Sequence, residues 1–548
     1  MRVPGWHAVG RAGRAARAAV EPFDESAVET STALIKQFAR PGLIGSLLMS
    51  VGAFGAGWIA PAAGVANVPI LNDIRSSQQL KFTSKMLLMA GVGLLLLTWA
   101  RLGHHVRTRR ILDPTRLTRL IYWWSVPLLL SPVLFSRDLF SYVAHSRLLP
   151  NGIDPYLYGT GVFDTFYLDG ADALWTHAPA PYGPLWMGLS SIVYWVTGAR
   201  AIPALIAFRL LAFVGVVLIA VFLPRLAKLC GVDPAKAIWL GLLNPLVLLH
   251  FVSAAHNDAL MVGLLVAGMT LTLERSYVPG LLLVAFAGAV KSPALLALPF
   301  VGLVWAGQGA SLFRRVKMWF LAGVSTLAVF LVLNLATGLD FGWLNGLGTP
   351  GKVRTWLSPM TGLGMLTGNL ADLVGLGYRV DGAVAFWRGV GTVVTIGVIL
   401  WLVFTGDRRS AARGLGLALL AVVMLGPVVQ PWYLLWALVI LAGAGMTRGE
   451  TRAAVLLSIG FVVYSVANAN ATVPLLVGSL SDGLAALASV LVVVVLLVAS
   501  RRSRAVLLED AFPLAPDQPE ASDQPEASDR PREITLDPSD GRDRAASN

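Results

Sequence analysis

Residues 204–226 read ALIAFRLLAFVGVVLIAVFLPRL and set the class of the fold. A helix needs roughly 20 mostly apolar residues to cross the hydrocarbon core of a bilayer. This stretch is long enough and carries only Arg209 and Arg225 as charges. It therefore predicts a transmembrane helix, because a helix satisfies its own backbone hydrogen bonds in lipid. Arg209 lies near the start of that helix, so we expect its side chain to snorkel toward the interface.

Similar apolar stretches recur on both sides of this segment with only short polar breaks. Hydrophobic residues make up 56% of the chain and charged residues 14%, whereas an average soluble domain is about 25% charged. The predicted spans are 42–60, 86–100, 120–136, 204–226, 237–255, 259–273, 318–336, 386–405, 412–429, 433–446, 453–469 and 483–500. We expect an all-α polytopic transmembrane bundle of about 12 to 14 helices, with little room for a soluble catalytic domain.

The formal net charge of +12 does not predict nucleic-acid binding, because Lys and Arg gather in the cytoplasmic loops of membrane proteins. Placing the basic segments in the cytoplasm leaves outer loops at 137–203 and 337–385. Segment 183–198 must then begin and end outside, as a re-entrant or interfacial helix, while 280–307 enters and returns on the inner side. In the alternative topology 183–198 spans the membrane, and the basic loop 225–236 changes side.

Composition divides the chain into three parts. Residues 1–40 form a basic N-terminal segment that we expect in the cytoplasm, and 41–504 form the membrane domain. Residues 505–548 are acidic and proline-rich and cannot bury a core, so we expect a disordered cytoplasmic tail. Cys230 is the only cysteine, which excludes a disulfide within the chain and a cysteine-based metal site.

A carboxylate follows the third predicted span where the chain leaves the membrane, in the run Ser136-Arg137-Asp138-Leu-Phe-Ser-Tyr142. Ionisable groups at membrane depth cost about 2.5 to 3.5 kcal/mol and mark functional sites. An acid at the mouth of a membrane cavity can take a proton from an acceptor hydroxyl. The alternative is an interfacial ion pair of Arg137 and Asp138 that only anchors the helix end.

A second polar group, His256-Asn257-Asp258, lies in a tight turn between two apolar runs. His and Asn can donate to phosphate oxygens, while Asp can orient the His. The alternative is a polar turn or helix cap. We expect no metal site, because His256 and Asp258 are the only local ligands.

Lys291 is an isolated cation in an apolar run that Pro293 interrupts. Lipid cannot satisfy the backbone of a broken helix, so Lys291 is expected inside protein or in a wet cavity. There its ammonium group suits a phosphate or pyrophosphate. The alternative is a snorkelling lysine.

Aromatic and basic residues also mark the predicted outer segments, where we single out Tyr182, Arg354, Trp356, Trp432 and Tyr433. Aromatic rings stack on the apolar faces of sugars, although Trp and Tyr are enriched at every membrane interface. The sequence holds no Walker-type phosphate loop, no His-Glu-x-x-His and no Gly-x-Ser-x-Gly motif. It therefore supports neither ATP-driven chemistry nor a soluble nucleotide cofactor.

In order and spacing, these motifs resemble the actinobacterial polyprenol-phosphomannose-dependent α-1,6-mannosyltransferases, which are GT-C membrane glycosyltransferases. The matching runs are Ser136-Arg-Asp-Leu-Phe-Ser-Tyr142, Gly152-Ile-Asp-Pro-Tyr156, Pro181-Tyr-Gly-Pro184, Leu243-Asn-Pro-Leu246 with His256-Asn-Asp258, Val290-Lys291 and Pro431-Trp-Tyr433. The resemblance covers residues 40–500, and the joint occurrence of the motifs is more specific than any one of them.

The resemblance implies a GT-C-type bundle in the plasma membrane whose active site faces the periplasm. The implied donor is polyprenyl-phosphate mannose, and the implied acceptor is a growing α-1,6-mannan on a phosphatidylinositol mannoside, on the way to lipomannan and lipoarabinomannan. Transfer from a β-linked donor to an α-linked product is a single inverting displacement. The motifs do not separate α-1,6 from α-1,2 linkage.

The resemblance also implies roles for the residues. Asp138 takes the role of the catalytic base, and the donor phosphate is bound by the polar group His256, Asn257, Lys291, Arg137 and Arg354. Asp258 would support the site and orient His256. Relatives often carry Glu at this position, so we expect no direct catalytic role for Asp258. The expected sugar or acceptor contacts are Tyr142, Asp154, Tyr156, Tyr182, Trp356, Trp432 and Tyr433.

We expect neither a metal nor a cofactor. The expected partners are the lipid-linked donor, the glycolipid acceptor and membrane lipids, with no nucleic acid; no oligomeric state is predicted. The alternative function is a flippase or transporter of a lipid-linked sugar. Such a protein would place charged residues on both sides of the midplane and often carries an inverted repeat. The sequence has no internal repeat in the membrane domain, which favours the enzyme.

Overall fold

The computed structural model describes residues 25–108, 112–375 and 380–472. Most of the predicted N-terminal segment, the predicted span 483–500 and the predicted tail 505–548 lie outside these residues. The described chain is all-α; it contains no named strand, only an isolated antiparallel bridge between Trp58 and Val133. The predicted all-α polytopic class is confirmed.

The first helices run from the N-terminal side to the polar His-Asn-Asp turn. They are α1 (Glu25–Ala56), α2 (Pro69–Ser76), α3 (Gln78–Thr108), α4 (Pro114–Leu130), α5 (Asp138–Ser146), α6 (Pro184–Thr197), α7 (Ala201–Leu229), α8 (Pro234–Leu242) and α9 (Val247–Ser253). The remaining helices follow that turn. They are α10 (Asp258–Leu273), α11 (Tyr277–Val290), α12 (Leu298–Ala306), α13 (Leu312–Thr337), α14 (Pro359–Leu373), α15 (Val380–Thr405), α16 (Ala411–Leu425), α17 (Leu434–Ala444) and α18 (Arg448–Thr472).

Six helices in the described part of the chain are long and apolar enough to cross a membrane. These segments are Ile35–Ala56, Gln78–Arg107, Ala201–Leu229, Leu312–Thr337, Val380–Thr405 and Arg448–Ala467. A seventh span is possible if α8 and α9 count as one. Among the described residues, five shorter apolar helices of 10–17 residues cover the predicted spans 259–273, 412–429 and 433–446 and the two halves of segment 280–307.

The predicted span 237–255 is broken in its middle. Helices α8 and α9 are bent by 62° relative to each other, and both contain π-helical turns. Pro245 lacks an N–H and disfavours helical backbone at Asn244, so the break falls there. The Asn244 side chain repairs it by accepting from the Leu246 N–H at 3.0 Å and donating to Ser458 Oγ at 2.8 Å.

The snorkelling predicted for Arg209 is wrong. The residue is only 7% exposed, and its guanidinium donates to the carbonyls of Leu129 (2.9 Å), Ser131 (2.6 Å) and Ser253 (3.3 Å). These carbonyls belong to the ends of α4 and α9, where helices leave acceptors without intrahelical partners. Arg209 therefore ties together the two chain segments that lead to Asp138 and to His256.

Helices α7 and α10 pack backbone to backbone at a pair of glycines. A Cβ atom at Gly215 would lie 2.1 Å from the carbonyl oxygen of Ala259, and one at Gly263 would lie 2.4 Å from that of Gly215. Small residues four apart allow this close approach between helices in membranes. The contact fixes the start of α10, and hence Asp258, deep against α7.

The two segments predicted to be re-entrant form short helices. Helix α6 covers the predicted segment 183–198, and 280–307 is divided into α11, a 3₁₀ turn at Ser292–Ala297 and α12. The break falls at Lys291, whose backbone is extended, because Pro293 prevents the helix from continuing. The side of the membrane on which these elements lie stays a prediction.

Candidate active site

A cavity of about 510 Å³ lies where the chain segments before α5, after α11 and before α17 meet. Its wall includes Asp138, Lys291, Tyr182, Trp432 and Tyr433. With Arg137, six sequence-predicted site residues from distant parts of the chain therefore line one space. An apolar cavity with a few convergent charged groups is the usual form of a ligand site.

Asp138 is the first residue of α5, and its carboxylate is 27% exposed. The turn that presents it holds Phe135 at a φ of 67°, a backbone conformation that is uncommon for a non-glycine residue. Oδ2 of Asp138 lies 3.3 Å from Nδ1 of His256. Burial acts to raise the pKa of the Asp138 carboxyl, but His256 and the charge of Lys291 outweigh burial and hold that pKa below its usual range. The group is thus a carboxylate at neutral pH.

His256 is fully buried and is not among the residues that line the cavity. Its ring stacks on Trp432, with 3.7 Å between centroids and 20° between planes. Trp432 does line the cavity. The structure therefore does not bring His256 into contact with a ligand in the cavity, as the predicted phosphate role requires.

Asp258 does not orient His256, so that prediction is wrong. Both carboxylate oxygens of Asp258 accept from Nζ of Lys291 at 2.9 Å, and Oδ1 also accepts from Nε1 of Trp436 at 2.6 Å. Asp258 begins α10 and is fully buried. Its side chain points to a partner 33 residues along the chain, which no local pattern could indicate.

Lys291 is not a snorkelling residue. Its side chain is 14% exposed, lines the cavity and lies 5.2 Å above the ring of Tyr433 and 5.4 Å above that of Trp436. Gly183 helps to place it, because a Cβ there would lie 2.3 Å from the Ala289 carbonyl oxygen. The lysine is thus held at the cavity wall by one carboxylate and two rings.

Asn257 and Tyr142 bind each other instead of a ligand. Oη of Tyr142 donates to Oδ1 of Asn257 at 3.2 Å and accepts from its backbone N–H at 3.3 Å. Both residues are fully buried and neither lines the cavity. The structure uses them to join α5 to the turn before α10, so the predicted phosphate and sugar contacts are not found here.

The two predicted arginines are placed differently. Arg137 lines the cavity, but its guanidinium donates to the carbonyls of Gly170 and Ala171 and lies 4.7 Å above the ring of Trp58. Arg354 pairs with Asp381, is about half exposed and is absent from the cavity wall. Arg137 thus mainly builds the wall, and Arg354 lies outside it.

Three further predicted contacts also lie outside the cavity wall. Oδ1 of Asp154 accepts from the backbone N–H of Tyr156 at 2.8 Å, which makes Asp154 a turn residue. Tyr156 is buried, and Trp356 is 65% exposed. Of the predicted aromatic contacts, only Tyr182, Trp432 and Tyr433 line the cavity.

The sequence reasoning missed several wall residues. Trp58, Asp172 and Trp175 line the cavity, but they lie in loops with no distinguishing spacing. Trp436 holds Asp258 and also lines the cavity. It follows Trp432 by four residues, so the one-turn spacing on a helix could have indicated it.

Within the described ranges no three His, Cys, Asp or Glu side chains converge as metal ligands. That the reaction needs neither metal nor cofactor remains a prediction.

A helical membrane protein whose cavity combines an ionised carboxylate, a lysine and aromatic rings has the groups that a membrane glycosyltransferase needs. Residues 39–307 match the family model described as alpha-(1->6)-mannopyranosyltransferase, N-terminal domain, and residues 360–499 match the MptB C-terminal domain. The chain belongs to this family of alpha-(1->6)-mannopyranosyltransferases, and it is a glycosyltransferase that transfers mannose. This favours the enzyme over the flippase.

The similarity to individual relatives extends over most of the chain. A probable alpha-(1->6)-mannopyranosyltransferase of Mycolicibacterium smegmatis is 36% identical, covering 75% of this chain and 79% of that protein. The alpha-(1->6)-mannopyranosyltransferase A of Mycobacterium tuberculosis is 36% identical over 75% and 80%, and the B enzyme of Corynebacterium glutamicum is 30% identical over 73% and 72%. No solved structure matches the chain.

Proposed function

We propose that this enzyme transfers mannose from polyprenyl-phosphate mannose to a growing α-1,6-mannan on a phosphatidylinositol mannoside. The observation that carries the proposal is that Asp138 and Lys291 line the same cavity. One group can take a proton from an acceptor, and the other can face a leaving phosphate. Lipid-phosphate donors suit a cavity formed within a membrane bundle, because their isoprenoid chain stays in the bilayer.

The reaction is an inverting displacement at C1 of the donor mannose. The acceptor hydroxyl oxygen forms a bond to C1, the bond from C1 to the phosphate oxygen breaks, and the phosphate leaves with the electron pair. The hydroxyl proton passes to Asp138. Its low pKa keeps the group ionised, as a general base must be.

Lys291 stabilises the leaving phosphate, whose negative charge grows as the bond to C1 breaks. Stabilisation that strengthens in the transition state raises the rate of the chemical step. Asp258 and Trp436 hold the lysine in place, and Tyr433 lies under its ammonium group. Asp258 thereby supports the phosphate site without touching the substrate.

The aromatic residues of the wall provide the sugar-binding surface. Trp58, Trp175 and Tyr182 line the cavity together with Trp432, and such rings stack on the apolar faces of pyranoses. Asp138, Asp172, Trp175 and Tyr182 all belong to the predicted outer loop 137–203. Their position supports an active site that faces the periplasm, in the plasma membrane.

Mannose transfer from radiolabelled polyprenyl-phosphate mannose to a short phosphatidylinositol mannoside tests the proposal, in membranes that hold equal amounts of each protein. We expect Asp138→Asn to lower transfer by about 10²-fold or more while donor binding persists. Asp172→Asn is the matched control, because Asp172 is a half-exposed carboxylate in the same wall and should keep most of the activity. Undiminished transfer by Asp138→Asn would refute the assignment of Asp138 as the base. A wild-type protein that is inactive with this donor would refute the assignment of polyprenyl-phosphate mannose as the donor.

A further inference from the structure

His256 lies behind Asp138 with respect to the cavity. Asp138 lines the cavity and is partly exposed, whereas His256 is fully buried and absent from the wall. Nδ1 of His256 is nevertheless 3.3 Å from Oδ2 of Asp138. A residue in this position can act on the carboxylate but cannot reach a substrate in the cavity.

The orientation of the His256 ring is fixed by packing. One face stacks on Trp432 with a centroid separation of 3.7 Å, and the backbone N–H donates to the carbonyl of His250 at 3.1 Å. Ala255 has a φ of 52° in the turn before the ring, a conformation that costs an alanine energy and persists where the surroundings enforce it. Neither ring nitrogen has a hydrogen-bond partner of good geometry among the described residues. The carboxylate of Asp138, with Oδ2 at 3.3 Å from Nδ1, is the ion-pair partner recorded there for the ring.

We propose that His256 is a positioning residue for Asp138, with its Nδ1–H directed at Oδ2 so that Oδ1 is left to take the proton of the acceptor hydroxyl. The inference rests on the proposed function and assigns His256 a role other than phosphate binding. His256 exchanges no atom in the reaction: the proton ends on Asp138 and the electron pair leaves with the phosphate. A histidine held by a carboxylate is familiar from catalytic triads; here the histidine holds the carboxylate.

The charged and titratable groups around the pair are few. His256 is faced by Asp138 and by His250, whose ring centroid is 5.8 Å away. Asp138 is faced by His256, Lys291 and His145, each of which lowers the pKa of its carboxyl. The hydroxyl groups of Tyr142, Tyr182 and Tyr433 also face it. Removing His256 therefore leaves Lys291 in place, and the pKa of Asp138 should rise only in part.

Two substitutions separate the contact from the packing. His256→Phe keeps a ring that can stack on Trp432 but has no donor, and His256→Asn places a short amide near the position of Nδ1 but loses the stack. We expect His256→Phe to lower kcat by about 10- to 100-fold and to move the acid limb of the kcat profile to higher pH. The donor KM should change little, and His256→Asn should restore part of both effects.

His250→Phe is the matched control, because His250 is also buried, lies 5.4 Å from Trp432 and bonds Ser465 rather than Asp138. It should leave the acid limb in place. A raised donor KM with an unmoved acid limb in His256→Phe would assign the residue to the phosphate and overturn the inference. An equal loss of thermal stability in all three variants, with the acid limb unmoved, would reduce His256 to packing and also overturn it.

A measurement without substrate distinguishes this inference from the proposed function. Carbodiimide labels protonated carboxyl groups, so the labelling of Asp138 against pH, followed by mass spectrometry, reports its pKa in the full-length protein. We expect His256→Phe to raise the labelling midpoint by on the order of one pH unit. If the labelling midpoint rises in His256→Phe while the wild type transfers no mannose from polyprenyl-phosphate mannose, the interaction of His256 with Asp138 is supported and the proposed donor is refuted. If the labelling midpoint of Asp138 is the same in His256→Phe as in the wild type, the positioning role of His256 is refuted.

Discussion

Two carboxylates of the site, Asp138 and Asp258, differ in what surrounds them. Asp138 lines the cavity, is partly exposed and has the His256 ring 3.3 Å from its carboxylate. Asp258 is fully buried, and its oxygens are occupied by Lys291 and Trp436. An ionised oxygen that faces a cavity can accept a proton, whereas one that already accepts charged and indole hydrogens cannot do so without losing them.

The contrast shows that burial and partners decide the role of a carboxylate. Both residues stand at the first position of a helix, α5 for Asp138 and α10 for Asp258, so local secondary structure does not separate them. Asp138 has His256 on one side and faces the cavity on the other, where it can meet a substrate. Asp258 is buried with both oxygens bound to Lys291, and its role is to hold that lysine in place.

The largest expected effect separates the two carboxylates directly. Asp138→Asn should lower the transfer rate by about 10²- to 10⁴-fold and lower the melting temperature less than Asp258→Asn does, because the Asp138 carboxylate is partly exposed whereas that of Asp258 is fully buried. Transfer assays and thermal unfolding in detergent check this. A large loss of stability in Asp138→Asn would make the two carboxylates equivalent and break the comparison.

The next effect concerns the buried pair. Asp258→Asn leaves Lys291 without its counter-ion, and breaking a buried pair costs about 3 to 5 kcal/mol. The double variant Asp258→Asn with Lys291→Met should be more stable than Asp258→Asn alone, since no charge is then left unpaired, but it should not transfer mannose. Thermal unfolding of the wild type, Asp258→Asn, Lys291→Met and the double variant measures the coupling, and strictly additive losses would contradict it.

The pH dependence of stability should come in part from His145. This residue is buried in α5, and its burial lowers its pKa to about 4. Between about pH 6.5, the usual pKa of a histidine, and about pH 4 the unfolded chain binds a proton that the folded protein does not. Stability therefore decreases as the pH is lowered through this window, by roughly 3 kcal/mol in total. Melting temperatures at pH 7 and pH 5 should differ less in His145→Phe, and an unchanged difference would contradict the assignment.

The smallest expected effect lies at Tyr433, whose ring is 5.2 Å from Nζ of Lys291. A cation above an aromatic face gains about 0.5 to 2 kcal/mol, so Tyr433→Leu should raise the donor KM several-fold. Tyr433→Phe keeps the ring and should behave nearly as the wild type. Equal KM values in the Leu and Phe variants would show that the ring does not support the lysine.

Much of the fold could be predicted from the sequence, because apolar length and proline position act locally. The long helices α7 and α13 follow directly from apolar runs. The break at Lys291 was expected from Pro293. The break at Asn244 was missed, although Pro245 carries the same signal, because the surrounding residues are apolar enough to suggest one continuous span.

The sequence predicted several of the residues that line the cavity, but it did not predict which residues bind one another. Asp138, Lys291, Tyr182, Trp432 and Tyr433 were expected and line the cavity. Other expected residues, among them Asn257 and Tyr142, bind each other instead. Trp58 and Trp175 carried no signal, since a lone tryptophan in a loop is indistinguishable from one at the membrane interface.

The sequence by itself determined that this chain is a helical membrane protein, and it singled out Asp138 and Lys291 as isolated charges beside apolar runs, because both depend on local runs of side chains. Only the tertiary structure decided that Asp258 binds Lys291 while His256, two residues earlier, lies 3.3 Å from Asp138. The close approach of α7 and α10 at Gly215 and Gly263 sets the depth of that turn. Partners so far apart along the chain meet only through the packing of whole helices, which no local pattern contains.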